Sequence, residues 1–124
     1  MEPDMSTMII CMLIAAYIPW LCAGLAKRGG CKLARCQGEG AAERLKAAER
    51  NSFEILPFFY ASTLSCWLSS GSDVSGFMIF FVLLFVAARF AYVYFYCKDF
   101  SYFRRLSWAI SVLAPTALMI AALF

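Results

Sequence analysis

Phe77 to Cys97 reads FMIFFVLLFVAARFAYVYFYC, a stretch with a single charge, Arg89. A helix of about 20 apolar residues, rising about 1.5 Å per residue, crosses the ~30 Å hydrocarbon core of a bilayer. This stretch has that length and contains no Pro or Gly. A helix apolar on all sides is buried either in a large protein or in a membrane, and this chain has only 124 residues. The segment is read as a membrane span, and Arg89 is the residue in it that needs an explanation.

The same pattern extends in both directions. Lys98 to Arg105 is a linker carrying Lys98, Asp99, Arg104 and Arg105, and Leu106 to Phe124 is uncharged with Pro115 inside it. Upstream, Ser69 to Gly76 (SSGSDVSG) has the composition of a turn. Before it, Phe53 to Leu68 is apolar apart from Glu54 and a few hydroxyls. That run continues Ala41 to Asn51 (AAERLKAAERN), rich in strong helix formers. With no breaker between them, the two read as one helix that starts in water and enters the membrane near Asn51, with a bend possible at Pro57. Met8 to Ala26 is uncharged and contains Pro19; Lys27-Arg28-Gly29-Gly30 ends it, and a polar loop with Lys32 and Arg35 follows. Neighbouring helices satisfy the carbonyls that proline frees in membrane helices. The expected fold is all-α integral membrane: a four-transmembrane-helix bundle in one domain, 1–124, with helices about 8–26, 41–68, 77–97 and 105–124.

Composition agrees. Hydrophobic residues make up 63% of the chain and charged residues 15%, and the charges cluster between apolar deserts. The net charge is +3, with the basic residues in connectors and no basic patch of the kind nucleic acid requires, so a nucleic-acid partner is excluded. Lys and Arg mark the cytoplasmic side of short loops. The first and third connectors are basic, whereas the N-terminus, the second connector and the C-terminus have no basic residue. Both termini are therefore expected away from the cytoplasm. The N-terminus carries Glu2 and Asp4 and no cation, unlike the positive start of a secretory signal, so the first helix is expected to be retained. A compact chain without a retention signal points to a bacterial inner membrane, with the endoplasmic reticulum as the alternative.

Of six cysteines, Cys11, Cys22, Cys66 and Cys97 lie in or at the ends of apolar segments, where Cys acts as a small hydrophobe. Cys31 and Cys36 share a loop and read as ordinary thiols. With no His in the chain and no standard ligand spacing, no metal is expected.

Two polar stripes carry the candidate chemistry. Arg44, Asn51 and Glu54 share one face of the second helix, and Arg89, Tyr92 and Tyr96 one face of the third. An ionised carboxylate at the level of Glu54 is costly without a cationic partner, and ionisable groups inside a span mark candidate sites. The competing structural reading is a Glu54–Arg89 pair that fixes packing.

Glu43-Arg44, Ala48, Asn51, Glu54 and Pro57 form the pattern E-R-x3-A-x2-N-x2-E-x2-P, and Arg89 to Tyr96 reads R-F-A-Y-x3-Y before Arg104-Arg105. With four hydrophobic segments around them, these motifs make the chain resemble the MAPEG superfamily, membrane-associated proteins in eicosanoid and glutathione metabolism that include microsomal glutathione transferases. The resemblance covers nearly the whole chain. It implies a homotrimer of four-helix subunits, with glutathione as co-substrate bound between neighbours near the cytoplasmic face. It further implies glutathione contacts from Arg44, Asn51, Glu54, Arg89, Tyr92 and Tyr96, and an arginine near the sulfur, Arg105 or Arg104. A guanidinium there would favour the thiolate of a thiol whose reference pKa is about 8.5. The implied activity is a membrane transferase or peroxidase attacking lipophilic electrophiles or lipid hydroperoxides that arrive from the membrane lipids. Ala47 stands where catalytic members commonly carry arginine, and Glu49 where His or Gln is frequent. Both favour the alternative, a non-catalytic member that binds a lipid or partner.

Overall fold

The computed structural model describes residues 3–31, 36–37, 40–69, 71 and 76–123. Lys32, Arg35 and most of the 69–76 turn fall outside that set, as do the side chains of Cys31 and Cys36. Four helices follow one another: α1 (Pro3–Lys27), α2 (Ala41–Ser69), α3 (Gly76–Cys97) and α4 (Ser101–Ala122). Between α1 and α2 a short antiparallel hairpin pairs Gly30 with Gln37 and Cys31 with Cys36, where the sequence suggested only a polar loop. Three helices, α1, α3 and α4, are each long and apolar enough to cross a membrane. α2 does not qualify by composition, because its first half carries the Glu, Lys and Arg of AAERLKAAER.

The ends of the helices explain their lengths. α1 stops where Gly29 takes a left-handed φ of 77°, a conformation that favours glycine. α3 ends in a Schellman turn. Asp99 adopts φ 61°, the Asp99 N–H reaches the Tyr96 carbonyl at 3.1 Å, and the Phe100 N–H reaches the Phe95 carbonyl at 2.9 Å. The Phe95 and Phe100 rings meet across the motif at 6.2 Å, the apolar contact that accompanies such turns. Because this turn closes so quickly, α4 begins at Ser101 rather than near residue 105. Arg104 and Arg105 therefore lie in its first turns, not in a linker.

The interior has two apolar clusters. Towards the chain ends, Met8, Cys11, Ala15, Phe59, Met78, Val82, Phe85 and Leu118 pack together, with Phe59 and Phe85 stacked at 3.9 Å and 7°. Towards the basic connectors, Ile18, Cys22, Ala41, Leu45, Ala48, Val93 and Cys97 form the second. Small residues on α1 and α2 let these backbones approach closely, as membrane helices require. Arg89, Ser52 and Ser111 are also buried.

Cys97 departs from the sequence expectation of a plain small hydrophobe, because it is disulfide-bonded. Cys11, Cys22 and Cys66 are free and buried, as expected. α1 and α3 both contact the hairpin strands, so the first connector is drawn against the end of α3.

Lipid tails are as apolar as the core, so packing contacts rather than transfer from water hold this interior together. Phe59→Ala is expected to lose about 1–2 kcal/mol of stability from the stacked pair and its dispersion contacts, measured as a lowered unfolding midpoint in detergent micelles.

Candidate functional site

Arg89 projects from α3, eight residues before its end, or about 12 Å along the axis. Its side chain is 1% exposed, so it does not face lipid. One terminal nitrogen donates to the Asn51 side-chain oxygen at 2.9 Å and to Ser52 Oγ at 3.1 Å. The other donates to Ser111 Oγ at 3.2 Å, and that hydroxyl in turn donates to the Trp108 carbonyl at 2.7 Å. The guanidinium carbon sits 4.2 Å from the centre of the Tyr92 ring. α2, α3 and α4 thus converge on one cation. Among the described residues no carboxylate pairs with it, and its Nε has no hydrogen-bond partner.

From Arg89 the polar groups continue towards the basic connectors. The Tyr92 and Tyr96 rings meet edge to face at 5.5 Å, and the Arg104 guanidinium lies 4.6 Å from the centre of the Tyr96 ring. Two cations are thereby held on two phenol rings, each contact of the kind worth about 0.5–2 kcal/mol. In front of them lies a cavity of about 150 Å³ walled by Asn51, Tyr92, Arg104, Arg105 and Trp108. Among the described residues, no acidic one lines it.

The remaining site residues expected from sequence lie outside this wall. Tyr96 sits beneath Arg104. Arg44 donates from Nε to the Cys97 carbonyl at 3.0 Å, satisfying one of the carbonyls that a helix C-terminus leaves open. Gly40, at φ +81°, makes room for it: a Cβ there would come within 2.9 Å of the Arg44 guanidinium. Glu54 is exposed, so the suggested Glu54–Arg89 pair does not form within the subunit. It belongs to a stripe of exposed α2 residues that includes Phe53, Pro57, Ala61, Leu64 and Leu68.

Three contributors were not picked out from the sequence. Trp108 follows Arg104 by four positions and Arg105 by three, which puts all three on one face of α4; that spacing could have found it. Ser52 and Ser111 gave no comparable signal, since a small hydroxyl within a helix reads the same whether or not a cation lies opposite.

The family model for the MAPEG family matches residues 7–124. No curated protein and no solved structure matches the chain.

Removing the Arg44 side chain should expose the end of α3 without touching the cavity wall. Arg44→Ala is expected to cost about 1–2 kcal/mol, read as a lower unfolding midpoint of the detergent-solubilised protein.

Proposed function

The chain belongs to the MAPEG family, and from that premise we propose that the cavity at the basic end binds glutathione and activates its thiol for attack on a lipophilic substrate. One observation carries this reading: Arg104 and Arg105 stand together on the wall of a cavity that no acidic side chain lines among the described residues. Glutathione is anionic, and guanidinium forks suit carboxylates. A guanidinium fixed beside a thiol favours the thiolate, the nucleophilic form.

In the proposed reaction the thiolate attacks an electrophilic carbon, a C–S bond forms, and the leaving group departs with its electron pair. With a hydroperoxide, the thiolate sulfur attacks the outer oxygen and the O–O bond breaks. The alcohol departs and a sulfenic acid remains; a second glutathione converts that to a disulfide, releasing water. Arg105 is assigned to the sulfur, with Arg104 next to it held on the Tyr96 ring. Asn51 and Tyr92 contribute wall contacts to the tripeptide.

The cavity of about 150 Å³ is smaller than the roughly 300 Å³ at which small-molecule sites usually begin. A neighbouring protomer would supply the rest, which fits a homotrimer. The exposed α2 stripe fits it too: an ionisable Glu54 on an otherwise apolar face is costly against lipid and would be covered at a subunit contact. The protein is an integral membrane protein. We further propose that the basic end faces the cytoplasm, with both termini opposite, in a bacterial inner membrane or, alternatively, the endoplasmic reticulum.

A second reading is a non-catalytic member that binds a lipid or partner. Ala47 and Glu49 favour it, as does a predominantly apolar groove of about 470 Å³ between α1 and α2, lined by Met8, Met12, Tyr60, Leu64 and Trp67 among others.

Titrating the purified oligomer with glutathione should raise the ultraviolet absorbance of thiolate. Arg105→Ala should remove that signal and lower kcat about a hundredfold, with the oligomer intact on size exclusion. Thiolate signal and turnover unchanged in Arg105→Ala would discard the role given to Arg105, and absence of glutathione binding by the unmodified protein would favour the second reading.

A further inference from the structure

A guanidinium has donors and no acceptor. Since an Arg89 terminal nitrogen lies 2.9 Å from the Asn51 side chain, the Asn51 amide must turn its oxygen towards Arg89. Flipping the amide would set two N–H groups against each other beside a side chain that is 1% exposed, leaving buried donors unmet at a cost of order 1–3 kcal/mol. The choice of amide orientation thus follows from chemistry and not from the shape of the side chain. Arg89 has no freedom to relax away. Ser52 and Ser111 hold its two terminal nitrogens, and the Tyr92 ring covers its face.

The consequence falls on the cavity. With its oxygen turned to Arg89, Asn51 has its NH2 group left to present elsewhere. Asn51 lines the cavity together with Arg104, Arg105, Tyr92 and Trp108, and no described hydrogen bond uses that NH2. Arg89 itself does not line the cavity.

We propose that Arg89 is a positioning residue that locks Asn51 as a hydrogen-bond donor to the cavity, so that this wall selects an acceptor group, a carboxylate or a peptide carbonyl. Applied to glutathione, this rests on the function proposed above, but the polarity of the wall holds for any acceptor-rich anion. It also gives Arg89 a different part from the ligand contact that the family resemblance implied. A ligand that presents an ammonium or amide N–H at this point meets another donor and is rejected.

Asn51→Asp provides the test, because a carboxylate keeps the oxygen that faces Arg89 and replaces the donor that faces the cavity. Unfolding midpoint, oligomeric state and equilibrium binding are measured for the full-length protein in detergent, with glutathione and inorganic sulfate as separate probes. The expected result is Asn51→Asp at least as stable as the parent, with both probes bound roughly tenfold or more weakly. Arg89→Lys, which also lacks an acceptor, should bind within a few-fold of the parent. Arg89→Gln, which lets the Asn51 amide turn, should lose binding. Loss of stability in Asn51→Asp would mean that the oxygen does not face Arg89 and would overturn the proposal, as would unchanged binding in Asn51→Asp. If sulfate binds and is lost in Asn51→Asp while glutathione never binds, the glutathione reading fails and the donor wall stands. If the parent binds neither probe, both fail.

Discussion

A guanidinium sealed about 12 Å inside a membrane helix organises the rest of this protein. Water cannot solvate Arg89, and no described carboxylate neutralises it, so the surrounding helices must supply oxygen atoms and a ring face. Asn51 and Ser52 come from α2, Ser111 from α4 and Tyr92 from α3 itself. Each of these groups fixes the rotation of its helix about its own axis. Apolar packing in a bilayer offers little such discrimination, because a leucine is equally at home against lipid or another leucine. A buried cation with directional partners does discriminate, and Val86 on one side of it and Val93 on the other belong to the two separate apolar clusters.

Once that layer is fixed, the basic end of the bundle follows from local turns. The Schellman turn at Asp99 reverses the chain within three residues, so the first turns of α4 fall back alongside the last turn of α3. Arg104 then reaches the Tyr96 ring and Arg105 stands free on the cavity wall. Across the bundle, Arg44 closes the end of α3 through the Cys97 carbonyl, and the disulfide at Cys97 adds a covalent tie at the same residue. Three helices, α2, α3 and α4, thereby meet around one small polar cavity, while the opposite half of the bundle has a mainly apolar core in which the buried Ser62 and Thr63 hydroxyls donate to carbonyls of their own helix. The asymmetry is suited to chemistry that joins a water-soluble anion to a membrane-soluble partner.

The exposed face of α2 is the other unresolved demand of the physics. Glu54 lies on it among Phe53, Pro57, Ala61, Leu64 and Leu68, with no counter-ion in its own subunit among the described residues. Such a carboxylate is stable at the rim of a membrane, or against a cationic neighbour, and unfavourable in hydrocarbon. In the proposed homotrimer a neighbouring subunit would meet both demands, covering Glu54 on α2 and enlarging the cavity walled by α2, α3 and α4.

How much of this was legible beforehand depends on the range of the interaction. The apolar length of Phe77–Cys97 and Leu106–Phe124 and the helix formers of Ala41–Asn51 are properties of consecutive residues, and the bilayer thickness converts them directly into helices. The spacings Asn51–Glu54 and Arg89–Tyr92–Tyr96, with Arg104-Arg105 after them, likewise marked the polar faces and carried the family resemblance, which the match over residues 7–124 bears out. What the sequence could not fix was which polar groups meet. Glu54 and Arg89 looked like partners by charge, yet Arg89 takes neutral oxygens and Glu54 faces outward; Ser52 and Ser111 gave no sign of their part. Those pairings depend on how three helices rotate and slide against one another, a matter of a few ångströms between residues as many as 38 positions apart. Local periodicity sets which residues share a face. Only the packed bundle decides what that face meets.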